Sequence, residues 1–307
     1  MKSESHSLRL AISVSLSVTA TLLLFCSAAP GQRGGSAARG GSVTPDRVRP
    51  EKTIPRIGPL ALPSPSPSAS PEGCDPDTVV GTCPGTLTFT YGFTANASPR
   101  HGGAQSKKLG LAFAVYVTRR LFVEVDNDNM VSTKTARAPR VTGFGDTTVY
   151  AGYDALLEGP GRPTITLIYG IKAPTASSAK GLGSGEMDHT ILSAIGKTFG
   201  FQNRSYAEFD VGDYIAGRSS ANGFDHFPFA AGIFERKLDD KKRYKLHMEV
   251  GGDFATSESN AGMYSLNYLQ TTLSPNLAIR TGVRIGLTPN VSRAGLYVAL
   301  KFSGRIK

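Results

Sequence analysis

From residue 86 onward, apolar side chains recur at every second position rather than every third or fourth, the period of a strand with two unlike faces. Leu109, Leu111, Phe113, Val115 and Val117 alternate with Gly110, Ala112, Ala114, Tyr116 and Thr118. Leu277, Ile279, Val283, Ile285 and Leu287 alternate with Ala278, Arg280, Gly282, Arg284 and Gly286. Between 244 and 253 the apolar set is Tyr244, Leu246, Met248 and Val250, and the other face carries Lys245, His247, Glu249, Gly251 and Asp253. The pattern predicts twelve strands, near 86–97, 106–118, 121–131, 144–157, 163–172, 188–199, 203–216, 226–238, 243–255, 262–273, 276–287 and 293–303.

Such alternation has two physical homes. In a soluble sandwich the apolar faces meet in a core; in a transmembrane barrel they face lipid and the polar faces line the interior. The connections separate the two. Links at 119–120, 158–162, 200–202, 239–242 and 274–275 are short or tight, while those at 132–143, 173–187 and 217–225 are longer. An even strand number with short turns on one rim and longer loops on the other fits an outer-membrane barrel. About ten residues per strand at ~3.4 Å, tilted by ~40°, span the ~25 Å apolar band. The expected fold is therefore all-β, a twelve-stranded antiparallel transmembrane β-barrel over 86–307.

The first 85 residues read differently. Lys2 and Arg9 precede an apolar run from Leu10 to Phe25, followed by the small residues Ser27, Ala28 and Ala29. This describes a secretory signal peptide over 1–28. The alternatives are a membrane anchor, against which five Ser and Thr residues and Pro30 count, and a lipoprotein modified at Cys26, against which the bulky Phe25 counts. Residues 29–72 are Gly, Ser, Pro, Ala and Arg with almost no large apolar side chain, a composition that predicts a disordered linker. In 73–85, Cys74 and Cys83 stand nine positions apart, and in an exported chain a disulfide closing this small loop is the expected use.

Composition then narrows the functions. After the first thirty residues no run offers the ~18 apolar residues of a spanning helix. The net charge of +10 would suit nucleic acid, but the basic residues are scattered and the export signal removes that partner. The expected surroundings are outer-membrane lipid, with the barrel-assembly machinery as a folding partner and small-molecule solutes as cargo, at the bacterial outer membrane. With no Trp, the interfacial girdle must use Tyr and Phe, with Tyr150, Tyr153, Tyr206, Tyr214, Tyr264, Tyr268 and Phe302 as candidates, a few of them facing the lumen instead.

Gly143-Phe144-Gly145-Asp146-Thr147-Thr148, Ile171-Lys172-Ala173-Pro174-Thr175, Gly181 to Asp188, and Ser274-Pro275-Asn276-Leu277 through Gly286-Leu287-Thr288 occur in an order and spacing that resembles the outer-membrane barrels of the MetA-pathway phenol-degradation and transporter family. The resemblance runs from about Thr86 to Phe302. It implies a barrel that passes or binds small hydrophobic or aromatic compounds. The chain departs from the family in the five residues after Phe302 and in the long segment before Cys74.

No catalytic site, metal site or cofactor is expected. Gly181-Leu182-Gly183-Ser184-Gly185 lacks the helix and Lys-Ser/Thr pair of a phosphate-binding loop. Ser184, Asp188 and His189 suggest a lipid-active enzyme, but Asp188 and His189 are adjacent on a strand and so point to opposite faces. His101, His189, His226 and His247 have no metal-ligand spacing.

Charge carries more information. With polar faces inward, the first half supplies Glu124, Asp126, Asp146, Asp154, Glu208 and Asp210, and the second half Arg236, Lys245, Arg280, Arg284 and Lys301. Lys172, Glu249 and Asp253 are exceptions, and His247 is expected to hydrogen-bond inside. An acidic wall facing a basic wall produces a transverse field of the kind that orients small polar solutes. The same charges paired across a filled interior would instead make an occluded structural or surface-binding barrel.

Overall fold

The computed structural model describes residues 85–98, 104–135, 138–159, 161–200, 204–217, 224–239, 241, 243–254, 262–288, 291 and 294–305. The expected signal peptide, linker and Cys74–Cys83 bridge lie outside the described residues.

Thirteen strands follow one another: β1 (Thr86–Ser98), β2 (Ala104–Tyr116), β3 (Leu121–Thr135), β4 (Ala138–Gly143), β5 (Thr147–Leu156), β6 (Thr164–Ala173), β7 (Asp188–Phe199), β8 (Ser205–Gly217), β9 (Phe224–Lys237), β10 (Tyr244–Asp253), β11 (Gly262–Ser274), β12 (Leu277–Gly286) and β13 (Ala294–Arg305). Chain neighbours pair antiparallel except β4 with β5, and β1 pairs with β13 from Thr86↔Arg305 to Ala97↔Ala294, which closes the sheet. Both β4 and β5 pair with β3, as successive pieces of one stave, so thirteen strands make a twelve-stave barrel. Closure gives every stave two partners, the condition for a sheet to cross hydrocarbon.

The stretch expected to be a loop at 132–143 is instead the end of a hairpin. Val131, Ser132 and Thr133 pair with Gly143, Thr142 and Val141, and the Ser132 hydroxyl bonds Thr142 Oγ1 and Arg140 Nη1, each at 3.0 Å. Val, Ser and Thr suit a pleated surface, so the ladder continues beyond the length a bilayer requires. It breaks at Phe144-Gly145-Asp146, where Gly145 N–H donates to Asp128 O at 2.7 Å. A Cβ on Gly145 would lie 2.3 Å from Asp128 Cβ, so this approach requires glycine.

Burial alternates along the staves. In β7 Asp188, Thr190, Leu192, Ala194 and Thr198 are buried, whereas Ile191, Ile195 and Phe199 are exposed. Most large exposed side chains are apolar: Leu167, Ile191, Phe209, Val211, Val283, Leu296 and Leu300 look outward, and a barrel with such a skin is built for lipid. At the short-turn end Phe89, Phe113, Tyr153, Phe199, Tyr244 and Phe302 form an outward aromatic ring. Of the girdle candidates, only Tyr153 and Phe302 belong to it. Tyr150, Tyr206, Tyr214 and Tyr268 are buried on the inward face.

Inside, rings lie flat against glycines of the neighbouring stave. Phe122 is directly opposite Gly152 and Tyr150 opposite Gly170. A Cβ at Gly152 would sit 2.1 Å from the Phe122 ring, and one at Gly170 would sit 2.5 Å from that of Tyr150. Tyr116, Phe122, Tyr150, Ile168 and Leu192 thereby form an apolar cluster on one side of the interior, with Phe229 packed against it. A second cluster joins Leu266, Tyr268, Tyr297 and Ala299 with Tyr264.

Candidate functional site

The interior is the candidate site, and strand phase decides what enters it. Glu124, Asp126, Asp154, Lys172, Glu208, Asp210, Lys245, His247, Glu249, Arg280 and Arg284 are all buried on the inward face. Lys301 shares that face through its pairing with buried Ala278. Arg236 does not, and its expected lumenal position is corrected. Its neighbour Glu235 is buried inward, and Arg236 stands opposite Leu246 on the other face. The phase of β9 was ambiguous because Phe224, Phe227, Phe229, Ile233 and Phe234 put apolar residues on both faces.

Three polar groupings result. At the long-loop mouth, Lys172 lies between two carboxylates: its Nζ is 3.4 Å from Asp146 Oδ2 and in contact with Asp188 Oδ2. It also donates to Ser184 Oγ at 3.0 Å. Asp146 accepts from Ala176 N–H at 3.0 Å, and Asp188 accepts from Gly217 N–H at 2.9 Å and from the Tyr214 hydroxyl. These bonds tie the 174–187 connection to β5, β6, β7 and β8. Leu182 of that connection is buried, with a methyl where a Gly143 side chain would be. Three of the four segments that carry the family resemblance, 143–148, 171–175 and 181–188, therefore meet at one place, whereas 274–288 lies on β12.

On the β9–β12 wall, Glu235 accepts from Lys245 at 2.9 Å and is 3.0 Å from His247 Nδ1. Glu249 accepts from Tyr264 Oη at 2.6 Å and lies 3.4 Å from His247 Nε2. The His247 ring stacks on Tyr268 with centroids 4.2 Å apart and planes at 11°. Arg280 and Arg284 extend over Tyr268 and Tyr264, 5.3 and 4.2 Å from the ring centroids. Glu235 is absent from the residues expected inside, and of the tyrosines the sequence implies only that a few face the lumen, not which. The recurring small or charged residues opposite them, such as Gly282 opposite Tyr268, were the signal.

The acidic wall is less well satisfied. Asp154 accepts from Thr166 Oγ1 at 2.7 Å and Glu208 from Tyr206 Oη at 2.5 Å. Glu124 and Asp126 face one another as a buried carboxyl pair, and neither they nor Asp210 Oδ1 receive a hydrogen bond from any other side chain at these buried oxygens. The acidic groups on β3, β5 and β8 and the basic groups on β12 and β13 thus occupy different arcs of the interior.

Of the candidate hydrolytic set, Ser184 Oγ is 3.4 Å from Asp188, but His189 bonds Tyr169 Oη at 2.8 Å on the outward face. The wall separates it from the other two. Among the described residues no group of three or more His, Cys, Asp or Glu side chains is arranged to hold a metal ion.

No protein-family profile matches the sequence, and no curated protein matches it. Among solved structures the chain is similar to an outer-membrane channel from Pseudomonas putida F1, at 11% identity and a TM-score of 0.56 over 77% of this chain and 100% of that one. It is also similar to the KdgM porin, at 10% identity and a TM-score of 0.48 over 71% of this chain and 99% of that one. The first likeness establishes the fold as that of an outer-membrane barrel. Closure, fold and the apolar outer skin place the chain in the bacterial outer membrane.

Proposed function

We propose that the barrel is a narrow channel for small molecules, among them the hydrophobic or aromatic compounds that the MetA-pathway resemblance implies, and that it reaches the membrane through the barrel-assembly machinery. The observation that carries this reading is the charge arrangement of the interior. Glu124, Asp126 and Asp210 on one arc, and Arg280 and Arg284 on another, are buried groups that no protein–protein ion pair joins among the described residues. Charges placed only to hold staves together are expected to pair with one another, because a buried unpaired charge is costly. Fixed charges along a passage interact instead with water and solute. Aromatic faces between them offer a surface for rings.

A second reading has its own support. Tyr116, Phe122, Leu266 and Glu124 are almost completely buried inside the barrel, as in a filled core. A twelve-stave interior is small enough for side chains to occupy much of it. Conductance in planar bilayers discriminates. The channel reading expects single-channel steps, and expects Arg280→Glu with Arg284→Glu to shift the reversal potential towards cations. A folded native barrel with no conductance and no phenol uptake into liposomes would leave the occluded barrel as the function.

A further inference from the structure

Two arginines face the interior of β12 four residues apart, so their guanidiniums stand on the same side of one stave. Both are almost wholly buried, Arg284 at 5% exposure. Each covers a tyrosine of β11, and between them Gly282 receives the Tyr268 side chain, whose Cβ lies 2.4 Å from where a glycine-to-alanine methyl would be. The ring faces and the close glycine contact fix where the two forks point. Arg280 Nε donates to Gln270 Oε1 at 2.9 Å. Arg284 Nε is buried with no acceptor at all.

The neighbouring acids are already committed. Glu235 is held by Lys245 and His247, and Glu249 by Tyr264 and His247. Among the described residues no ion pair joins either arginine to a carboxylate. A positive charge that cannot be neutralised at any ordinary pH is thus buried with no carboxylate of the wall in hydrogen-bonding contact with it. A guanidinium in that position calls for an anion, and its planar fork matches a carboxylate in two parallel hydrogen bonds.

On the side away from β11 the forks face β13. Arg284 is opposite Gly295 and Arg280 opposite Ala299 on β13, and Ala299 is in turn opposite Gly92 on β1. A Cβ on Gly295 would lie 2.2 Å from Asn96 Oδ1, and Tyr297 stands between Gly295 and Ala299 on the same face, so a ligand has to reach the forks from the barrel interior rather than from between β12 and β13. The other border is apolar and aromatic: Leu266, Tyr268 and Tyr297 form a packed cluster with Tyr264 against it. A carbon skeleton has a surface to lie on while its charged end reaches the arginines.

We propose that Arg280 and Arg284 form a binding site for the carboxylate of a small organic acid, with its carbon skeleton against the Leu266–Tyr268–Tyr297 cluster. This rests on the channel reading for its physiological use, since the acid would meet the site on its way through the barrel.

The test uses the full mature chain refolded in detergent, with benzoate as probe and benzyl alcohol as its neutral counterpart, followed by titration calorimetry. Benzoate is expected to bind at least about tenfold more tightly than benzyl alcohol, and Arg284→Gln to remove about that factor. Arg284→Lys keeps the charge but not the fork, and is expected to fall between the two. Equal binding of benzoate and benzyl alcohol, or unchanged benzoate affinity in Arg284→Gln, would overturn the site. Sodium sulfate competing as strongly as benzoate would overturn the organic-acid class, because the pair would then be reading charge alone. Should Arg284→Gln fail to give a barrel that migrates differently when unheated, the native ligand pair and Arg284→Lys decide the matter. Conductance is recorded separately. Benzoate binding to a barrel that never conducts leaves the site standing and removes the channel, whereas a conducting barrel indifferent to carboxylates does the reverse.

Discussion

The ammonium of Lys172 and the carboxylate of Asp188 are in direct contact inside the barrel wall, both buried, from directly opposed positions on β6 and β7. Asp146 approaches the same ammonium from the β4–β5 break, so one cation serves two carboxylates. The Tyr214 hydroxyl and the backbone N–H groups of Gly217 and Ala176 supply the remaining hydrogen bonds. The ordered 174–187 connection hangs on this node.

Removing the cation tests it. Lys172→Met leaves two carboxylates buried without their counter-charge, which costs about 3–5 kcal/mol when one partner of a buried pair is lost. The urea midpoint for unfolding from lipid vesicles is expected to drop, and trypsin is expected to cut sooner at exposed Lys180 within the connection. Adding Asp188→Asn to the variant removes one of the orphaned charges and should recover part of the loss. A Lys172→Met barrel with native midpoint and native proteolysis would show that the node holds nothing.

Much of this architecture was legible in the chain because period-two alternation and the turn residues are local signals. The predicted strand at 188–199 coincides with β7, and most of the others agree to within a few residues. What could not be read depends on register. Asp146, Lys172 and Asp188 come together only because Lys172 falls opposite Asp188 and Thr148, and nothing local specifies that pairing. The hairpin end at β3–β4 was missed because Ser132 to Gly143 is polar enough to pass for a loop. Arg236 was placed inside because β9 is apolar on both faces, so its phase had to come from the pairing with β10. The tyrosines are expected to be mainly interfacial, the commoner use of Tyr in barrels, with a few in the lumen, and which of them turn inward depends on register. Here the hydroxyls of inward ones meet interior carboxylates, as Tyr206 meets Glu208 and Tyr264 meets Glu249.

Ring-on-glycine packing makes a sharp mutational contrast. At Gly152 a methyl group would enter the Phe122 ring, whereas at Gly232 it would meet no atom within 4 Å. Gly152→Ala is expected to cost about 1–3 kcal/mol through overpacking. Gly232→Ala is expected to be neutral or to stabilise by up to about 1 kcal/mol, by restricting the unfolded chain. Paired urea titrations in vesicles check both. Equal effects at the two sites would mean that the interior ring is free to move aside.

The cysteines offer a chemical check on the exported state. Cys74 and Cys83 are the pair left after cleavage at the expected site, and a small loop between them is closed readily in an oxidising compartment. Maleimide labelling of the native mature chain is expected to fail until a reductant is added. Ready labelling of both thiols without reductant would refute the bridge.

Ile191 and Leu192 are adjacent on β7 and separate lipid from interior. Ile191 is 53% exposed and looks outward, while Leu192 is 3% exposed and packs with Tyr150 and Ile168. In water an exposed isoleucine replaced by a charge would cost nothing or help. In a membrane the same change puts a cation into hydrocarbon, at roughly 2–4 kcal/mol near the midplane. Ile191→Arg is therefore expected to lower the unfolding midpoint in vesicles, with a smaller effect in short-chain detergent, whose belt deforms around the charge. Leu192→Ala leaves a cavity in a packed cluster and is expected to cost about 2–5 kcal/mol in either surrounding. The two dependences separate the faces. An Ile191→Arg barrel as stable in vesicles as the native chain would place that face in water and remove the membrane-spanning assignment, whatever Leu192→Ala does.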